Sequence, residues 1–168
     1  MTITKRLVSS LIIVSSAVVG ICCNVIKTVL YYNLTQNVHT TIFDFRIVRN
    51  DGYISGLLSD LPFLVSLFQL TTLLLSLYLL LVASKKVGKV SCVYILSPWL
   101  MFAGFLGNAI DWFYRGYIID YIKINIPYNN FYTNCEDCFI EIGSILLIIL
   151  VLFKNDKIAR VYKFSAGK

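Results

Sequence analysis

Charge is scarce in this chain, and long stretches have none at all. Asp, Glu, Lys and Arg together make up 14% of the 168 residues, whereas 58% are hydrophobic. No charged residue occurs within residues 7–26, 61–84 or 90–110. A water-soluble domain of this length needs a polar surface that these proportions do not supply. The scarcity of charge therefore excludes an ordinary soluble domain.

The three uncharged stretches have the length of membrane-spanning helices, because about 20 apolar residues in a helix cross a hydrocarbon core of roughly 30 Å. A fourth apolar stretch begins near Cys138 and carries Glu141 near its start. We therefore predict an all-α integral membrane protein. It forms a single membrane domain over residues 1–168, with four transmembrane spans at about 7–29, 61–83, 90–111 and 138–154.

Basic residues are concentrated in three places, which indicates the orientation of the spans. Lys5 and Arg6 precede the first span, three lysines lie between the second and third, and five Lys or Arg residues follow the fourth. Because such residues collect on the cytoplasmic side, we predict cytoplasmic termini and outer loops at 31–60 and 112–137. The net charge of +6 then reflects orientation and contact with anionic lipids. Nucleic-acid binding is excluded, since no basic stripe contains interleaved aromatics.

Cysteine and histidine are too few to predict a metal centre. The only C-x-x-C motif joins Cys135 and Cys138, and the only histidine, His39, lies in the other outer loop. A structural zinc site needs about four ligands, so we expect no metal, with a disulfide between the two cysteines as the alternative. The N-terminus up to Cys22 resembles a signal peptide, but Ile21 stands where a small residue is expected, so we expect a retained first helix.

The first outer loop contains a strand pattern. Phe43, Phe45 and Ile47 alternate with other residues over residues 42–49 and share one side. Residues 50–52, Asn-Asp-Gly, form a turn sequence directly afterwards. We therefore predict a small extracytoplasmic β-hairpin that lies on the membrane surface.

Two carboxylates stand out at the predicted outer boundary. Asp120 lies among apolar residues in the second outer loop, and Asp137 directly precedes the fourth span. Antiparallel spans allow the two to meet. Close, partly buried carboxyls share one proton, and such a pair activates water for hydrolysis. The ordinary alternative is that both are solvated interfacial charges.

Spaced motifs around these carboxylates resemble those of lipoprotein signal peptidase, also called signal peptidase II. The family pattern is G-N-x-x-D-R-x-x-x-G-x-V-x-D-F, followed by N-x-x-D at the last helix. Its first outer loop carries V-x-N-x-G, and its first helix ends in D-Q-x-x-K, of which this chain keeps only the lysine. The matching residues are Gly107, Asn108, Asp111, Gly116, Asp120, Asn134 and Asp137 for the main pattern, Val48, Asn50 and Gly52 for the loop, and Lys27 for the helix.

The resemblance implies a membrane aspartyl endopeptidase in the bacterial cytoplasmic (inner) membrane, with its active site near the outer face. It implies cleavage of diacylglyceryl-modified prolipoproteins on the amino side of the lipidated cysteine, without a cofactor, by a monomer in contact with membrane lipids. Asp120 and Asp137 would be the catalytic pair. Substrate binding or support would fall to Lys27, Asn50, Gly52, Asn108, Asp111, Arg115, Gly116 and Asn134.

Some residues depart from the family pattern. Trp112 stands where the family has arginine, and Glu136 where it has a small residue. We hypothesise that Arg115, three residues beyond Trp112, replaces the missing guanidinium; Trp112 itself is expected to anchor the interface. Glu141 is expected either to act on Asp137 by like-charge repulsion or to face headgroups.

Two other functions remain open from the sequence. One is a non-enzymatic four-helix membrane protein, such as a scaffold or transporter subunit. A transporter should carry paired charges at mid-span, and residues 61–84 have none. The other is a catalytically degenerate protein that binds signal helices without cutting them, which the replacement at Trp112 suggests.

Overall fold

The computed structural model describes residues 3–34, 37–52, 58–126 and 129–152. The five basic residues predicted to follow the fourth span lie outside this part of the chain, as do the last two residues of that span.

Within the described residues the chain forms four long helices, as predicted. They are α1 (Ile3–Asn33), α2 (Pro62–Ser84), α3 (Cys92–Arg115) and α4 (Cys135–Leu152). The first three are long and apolar enough to cross a membrane. Helix α4 has 18 residues and three carboxylates within its first seven positions, so a fourth span remains a prediction.

Helix α3 is the centre of the helical bundle, since it packs against α1, α2 and α4. Small residues bring the helices close. A Cβ atom added to Gly20 of α1 would lie 2.5 Å from the Ala103 carbonyl oxygen of α3. The hydroxyl of Ser97 donates to the Gly143 carbonyl oxygen of α4 at 2.8 Å. Small residues and interhelical hydrogen bonds of this kind stabilise helix packing in lipid, where apolar burial contributes little.

Helix α3 extends four residues beyond the predicted end of the third span. Arg115 is its last residue, and Gly116 ends it with a left-handed φ of 79°. Such a conformation favours glycine, and Gly116 N–H donates to the Trp112 carbonyl oxygen at 2.9 Å. Residues 112–115, which the prediction placed in the second outer loop, therefore belong to α3, and the connection to β3 begins at residue 116.

The outer loops together build one antiparallel sheet. Its strands are β1 (Val38–His39), β2 (Phe43–Asn50), β3 (Ile118–Ile126) and β4 (Asn129–Thr133), in that order across the sheet. The predicted strand in the first loop is confirmed. Among the described residues, β2 pairs with β1 before it and with β3 of the second loop. A hairpin across residues 50–52 would need a strand directly after them, and residues 53–57 lie outside the described part of the chain. The β2–β3 pairing places Val48 opposite Asp120 and Asn50 opposite Ile118.

Candidate active site

Strand β3 presents Asp120 to the interior of the protein. Only 1% of its surface is exposed. Each carboxylate oxygen accepts a hydrogen bond from an amide: Oδ1 from Asn134 Nδ2 at 2.7 Å and Oδ2 from Asn50 Nδ2 at 3.1 Å. Asn50 reaches Asp120 because β2 pairs with β3, so the first outer loop orients an acid of the second.

Helix α4 presents Asp137 from its first turn. The Oδ1 atom accepts a hydrogen bond from Asn108 Nδ2 at 2.7 Å, and Oδ2 accepts one from Thr133 Oγ1 at 3.4 Å. Asn134 precedes the helix, and its Oδ1 accepts the Asp137 backbone N–H at 2.9 Å. An asparagine in this position satisfies a backbone donor that the helix itself leaves unpaired.

Asn134 therefore connects the two aspartates. Its amide nitrogen donates to the Asp120 carboxylate, and its amide oxygen holds the first turn that carries Asp137. Burial, and to a smaller extent the negative charge of Asp137, raise the pKa of Asp120 from 3.8 to about 6. A carboxyl with such a pKa exchanges its proton near neutral pH, as acid–base catalysis requires.

A buried ion pair network lies directly behind Asn108. Lys27 Nζ lies 2.9 Å from Asp111 Oδ2 and 3.0 Å from Glu136 Oε1, and all three side chains are fully buried. The same ammonium donates to Asn108 Oδ1 at 3.0 Å. With its oxygen held by Lys27, the amide of Asn108 must point its nitrogen at Asp137, which fixes the direction of that hydrogen bond.

Asp111 joins this network to α1 and to β3. It accepts hydrogen bonds from Asn24 Nδ2 at 2.6 Å and from the Ile119 backbone N–H at 3.1 Å, and it pairs with the Arg115 guanidinium. A buried carboxylate is tolerable only with such partners. The bond to Ile119 fixes the backbone one residue before Asp120. Asp111 therefore helps to hold Asp120 in place without a direct hydrogen bond to it among the described residues.

A cavity of about 290 Å³ opens beside Asp137. Helices α2, α3 and α4 and the sheet all contribute to its lining, which is mainly apolar. The lining residues are Asn50, Gln69, Phe105, Asn108, Ile118, Phe131, Tyr132, Asp137, Ile140 and Glu141. An apolar cavity with a few convergent polar groups is the usual form of a substrate site.

Comparison with known proteins gives the family. The model of the family described as signal peptidase (SPase) II matches residues 11–153. The chain belongs to this family. The lipoprotein signal peptidase of Clostridioides difficile (strain 630) is 30% identical over 119 residues, which cover 69% of this chain and 74% of that protein. The lipoprotein signal peptidase of Fusobacterium nucleatum subsp. nucleatum is 27% identical over 133 residues, or 79% and 78% of the two chains.

Two solved structures resemble the whole described fold of this signal peptidase II family member. One is a bacterial membrane enzyme determined by the in meso method at 2.3 Å resolution, with a TM-score of 0.68, 27% identity and 89% of each chain covered. The other, also a bacterial membrane enzyme, was determined at 1.9 Å resolution, with a TM-score of 0.66, 27% identity, and 88% of this chain and 93% of that chain covered. The likeness extends over bundle and sheet together.

The structure also gives the surroundings of Trp112 and Glu141. Trp112 is 6% exposed, packs against Val65 and Ile118, and donates from Nε1 to Ser66 Oγ at 2.9 Å, so the expectation of an interface anchor was wrong. The indole of Trp112, in α3, is bonded to the hydroxyl of Ser66, in α2, and therefore links the two helices. Glu141 is exposed at the cavity and makes none of the hydrogen bonds to Asp137 described above.

Arg115 is held away from the acid pair. Its guanidinium pairs with Asp111 and donates to Thr28 Oγ1 at 2.6 Å, and it lies 5.4 Å from the centre of the Tyr114 ring. Its third nitrogen, Nε, is buried and has no hydrogen-bond partner among the described residues. Its contacts favour a structural role in the network and do not support the hypothesis of a substitute for the family arginine.

Sequence reasoning missed the functional context of two residues. Glu136 provides the second carboxylate for Lys27, and Asn24 binds Asp111. Glu136 was noted in the sequence only as a departure from the family pattern, and Asn24 stands where the D-Q-x-x-K motif has glutamine. Two changes in the sequence could have indicated the contact of Lys27 with Glu136. Cys23 stands where the D-Q-x-x-K motif has its carboxylate, and Glu136 provides a carboxylate where the family has a small residue.

Proposed function

We propose that this protein is a membrane aspartyl endopeptidase that removes signal peptides from diacylglyceryl-modified prolipoproteins on the amino side of the lipidated cysteine. The observation that carries the proposal is the pair Asp120 and Asp137, which the two ends of Asn134 hold together, with Asp137 in the lining of an apolar cavity. Membership of the signal peptidase II family supports the same activity.

The acid pair acts on one water molecule. In the resting state the pair holds a single proton, because two adjacent buried carboxyls do not both ionise. The ionised carboxylate of Asp120 or Asp137 takes a proton from water, whose oxygen forms a bond to the scissile carbonyl carbon. The protonated partner donates a hydrogen bond to the carbonyl oxygen. When the C–N bond breaks, the amine leaves with a proton from the pair, which returns to its resting state.

Asparagine side chains orient this pair. Asn50 and Asn134 hold Asp120, and Asn108 holds Asp137. Lys27, together with Asp111, supports Asn108 and the backbone before Asp120. Gly116 supports the turn that brings β3 back over α3, and Gly52 donates its backbone N–H to Asn50 Oδ1 at 3.2 Å, which orients that amide.

The membrane arrangement is part of the proposal. The chain forms one domain with four spans, α4 being the fourth, cytoplasmic termini, and the acid pair near the outer face of the bacterial inner membrane. The apolar residues of α4 after Glu141 support this, since Ile145, Ile148 and Val151 are exposed as lipid-facing residues are. Placing carboxylates at this depth suits a substrate that stays in the bilayer. The protein acts as a monomer in contact with lipid.

Cleavage of a defined substrate tests the function. Purified protein in detergent is incubated with a diacylglyceryl-modified prolipoprotein, and mass spectrometry identifies the products. We expect two fragments, with the lipidated cysteine as the new N-terminus. A precursor with serine in place of that cysteine, which carries no lipid, is the control and should remain intact. Binding without cleavage would favour the degenerate signal-helix binder, and neither binding nor cleavage would favour a scaffold or transporter subunit.

The raised pKa of Asp120 predicts an acid limb in the pH profile. Below about pH 6 both carboxyls hold protons and no base is present, so kcat/KM should rise as pH increases through about 6 and then level off. The measured pKa belongs to the pair and not to one residue. Initial rates from pH 4.5 to 8 provide the test, and an acid limb near pH 4 would contradict it.

The same pKa predicts how stability changes with pH. The folded protein binds the Asp120 proton more tightly than the unfolded chain does, because the pKa rises from 3.8 to about 6 on folding. The free energy of unfolding therefore falls as pH rises through this interval. Asp120→Asn removes the titrating group, and its Tm should depend less on pH between 4 and 7 than the Tm of the parent.

A further inference from the structure

Gln69 is a buried amide that takes no part in the chemistry proposed above. It lies about two turns into α2, and 3% of its surface is exposed. Its Oε1 atom finds no hydrogen-bond partner within residues 3–34, 37–52, 58–126 and 129–152. A buried acceptor without a donor costs free energy, so such atoms are rare in folded proteins and point to a partner that binds later.

Gln69 lines the same cavity as Asp137. The cavity takes Gln69 from α2, Asn108 from α3 and Asp137 from α4, with apolar side chains such as Phe105 around them. Asn108 is fully committed, because its oxygen binds Lys27 and its nitrogen binds Asp137. Gln69 Oε1 is thus an acceptor without a described partner at the site where the proposed substrate lies.

The proposed substrate brings backbone donors into this cavity. A signal helix satisfies its N–H groups internally while it crosses the membrane. To be cut, the helix must open at the scissile bond, which frees N–H groups at a depth where water is scarce. Each freed donor then needs an acceptor from the protein. The diacylglyceryl group offers ester oxygens, which only accept, so it cannot satisfy Gln69 Oε1.

We propose that Gln69 positions the substrate by accepting, at Oε1, a hydrogen bond from a backbone N–H of the opened signal peptide near the scissile bond. This inference rests on the proposed function. It gives α2 a direct part in substrate recognition. Gln69 touches the peptide and not the reacting water.

A cycle of enzyme and substrate changes tests the proposal. Gln69→Met keeps the length of the side chain and removes its hydrogen bond. The substrates are a lipidated peptide and a series in which one backbone amide near the scissile bond is replaced by an ester, which removes one N–H. For the parent enzyme we expect one ester position to lower kcat/KM about tenfold. Gln69→Met should lower kcat/KM for the all-amide substrate by a similar factor. Because the hydrogen bond is already absent in this variant, the ester should not lower its kcat/KM further.

A matched variant on the same helix is the control. Thr72→Val also replaces a polar side chain of α2 by an apolar one of similar shape, but the Thr72 hydroxyl is bonded within its own helix, to the Phe68 carbonyl oxygen at 2.7 Å. With the all-amide substrate this variant should have the same kcat/KM as the parent. With the sensitive ester its kcat/KM should fall as much as that of the parent does. Equal loss in both variants would indicate a general effect on α2 and would overturn the proposal.

Other outcomes separate the inference from the function on which it rests. If Gln69→Met retains the parent rate, or if its ester penalty equals that of the parent, Gln69 does not bind the peptide. If Gln69→Met does not fold, the parent enzyme alone decides, because the absence of any sensitive ester position overturns the proposal. Failure of the parent to cut the all-amide lipopeptide would instead contradict the proposed function.

Discussion

Asp137→Asn is expected to abolish cleavage of the lipidated precursor, with a loss of at least about 1,000-fold in kcat. An amide neither takes a proton from water nor donates one as an acid does. The pair then lacks one of the two carboxyl groups that the proposed mechanism requires. The side-chain partners of Asp137 are Asn108 and Thr133. On asparagine the single amide oxygen still accepts from Asn108, and the amide nitrogen donates to the Thr133 hydroxyl, which also accepts hydrogen bonds. The fold should therefore survive. Single-turnover cleavage and far-UV circular dichroism, measured together, distinguish lost chemistry from lost structure.

Asp120→Asn provides the companion measurement. We expect a loss of the same order, and the double variant should be no worse than either single one, because the two groups act as a unit. Thr133→Val is the matched control, since it removes a hydrogen bond of 3.4 Å to Asp137 without removing a carboxyl. It should keep most of the activity. Cleavage that persists in both aspartate variants would refute the assignment of the pair.

Lys27→Met is expected to destabilise the protein by about 3–5 kcal/mol, the cost of leaving buried carboxylates without their cation. Lys27 is fully buried between Asp111 and Glu136. Asn108 also loses the donor that directs its nitrogen to Asp137, so activity should fall with stability. Thermal unfolding in detergent and the cleavage assay measure the two effects.

Removing a second charge should restore part of this loss. In Lys27→Met/Glu136→Gln one buried carboxylate is neutral and Asp111 keeps Arg115 as its cation, so we expect the double variant to be more stable than Lys27→Met alone. Asp44→Asn combined with Lys27→Met is the control, because Asp44 belongs to the sheet and touches neither partner. A double variant with Glu136→Gln that is no more stable than Lys27→Met would show that Glu136 is not its counterion.

The helices followed directly from the sequence. Uncharged stretches set the positions of α1, α2 and α3, because hydrocarbon penalises every charge that is not paired. Their ends were less predictable. Helix α3 runs on to Arg115 since Asp111 finds buried partners there, and no property of the local sequence shows that those partners exist. The strand of residues 43–50 was predicted from its alternation, whereas its pairing with β3 depends on contacts between distant segments.

The sequence could predict which residues form the candidate site, but not which contacts join them. The resemblance selected Asp120, Asp137 and Asn134, and the structure brings these three together. The ion pair between Lys27 and Glu136 was out of reach, because the energy of a buried charge depends on what surrounds it and not on its neighbours in the chain. For Arg115 the sequence suggested a contact that the structure does not support. Its spacing from Trp112 favoured contact with the substrate, whereas its partners in the structure are Asp111 and Thr28.

The contact of Lys27 with Glu136 also has a consequence for biosynthesis. Lys27 lies in α1, which leaves the ribosome before α4, and Glu136 and Asp137 lie in α4. Until α4 has been made, the ammonium lacks one counterion and the proposed pair lacks one acid. On the proposed mechanism, a nascent chain that has not yet reached Asp137 cannot hydrolyse its substrate, so activity has to wait for α4.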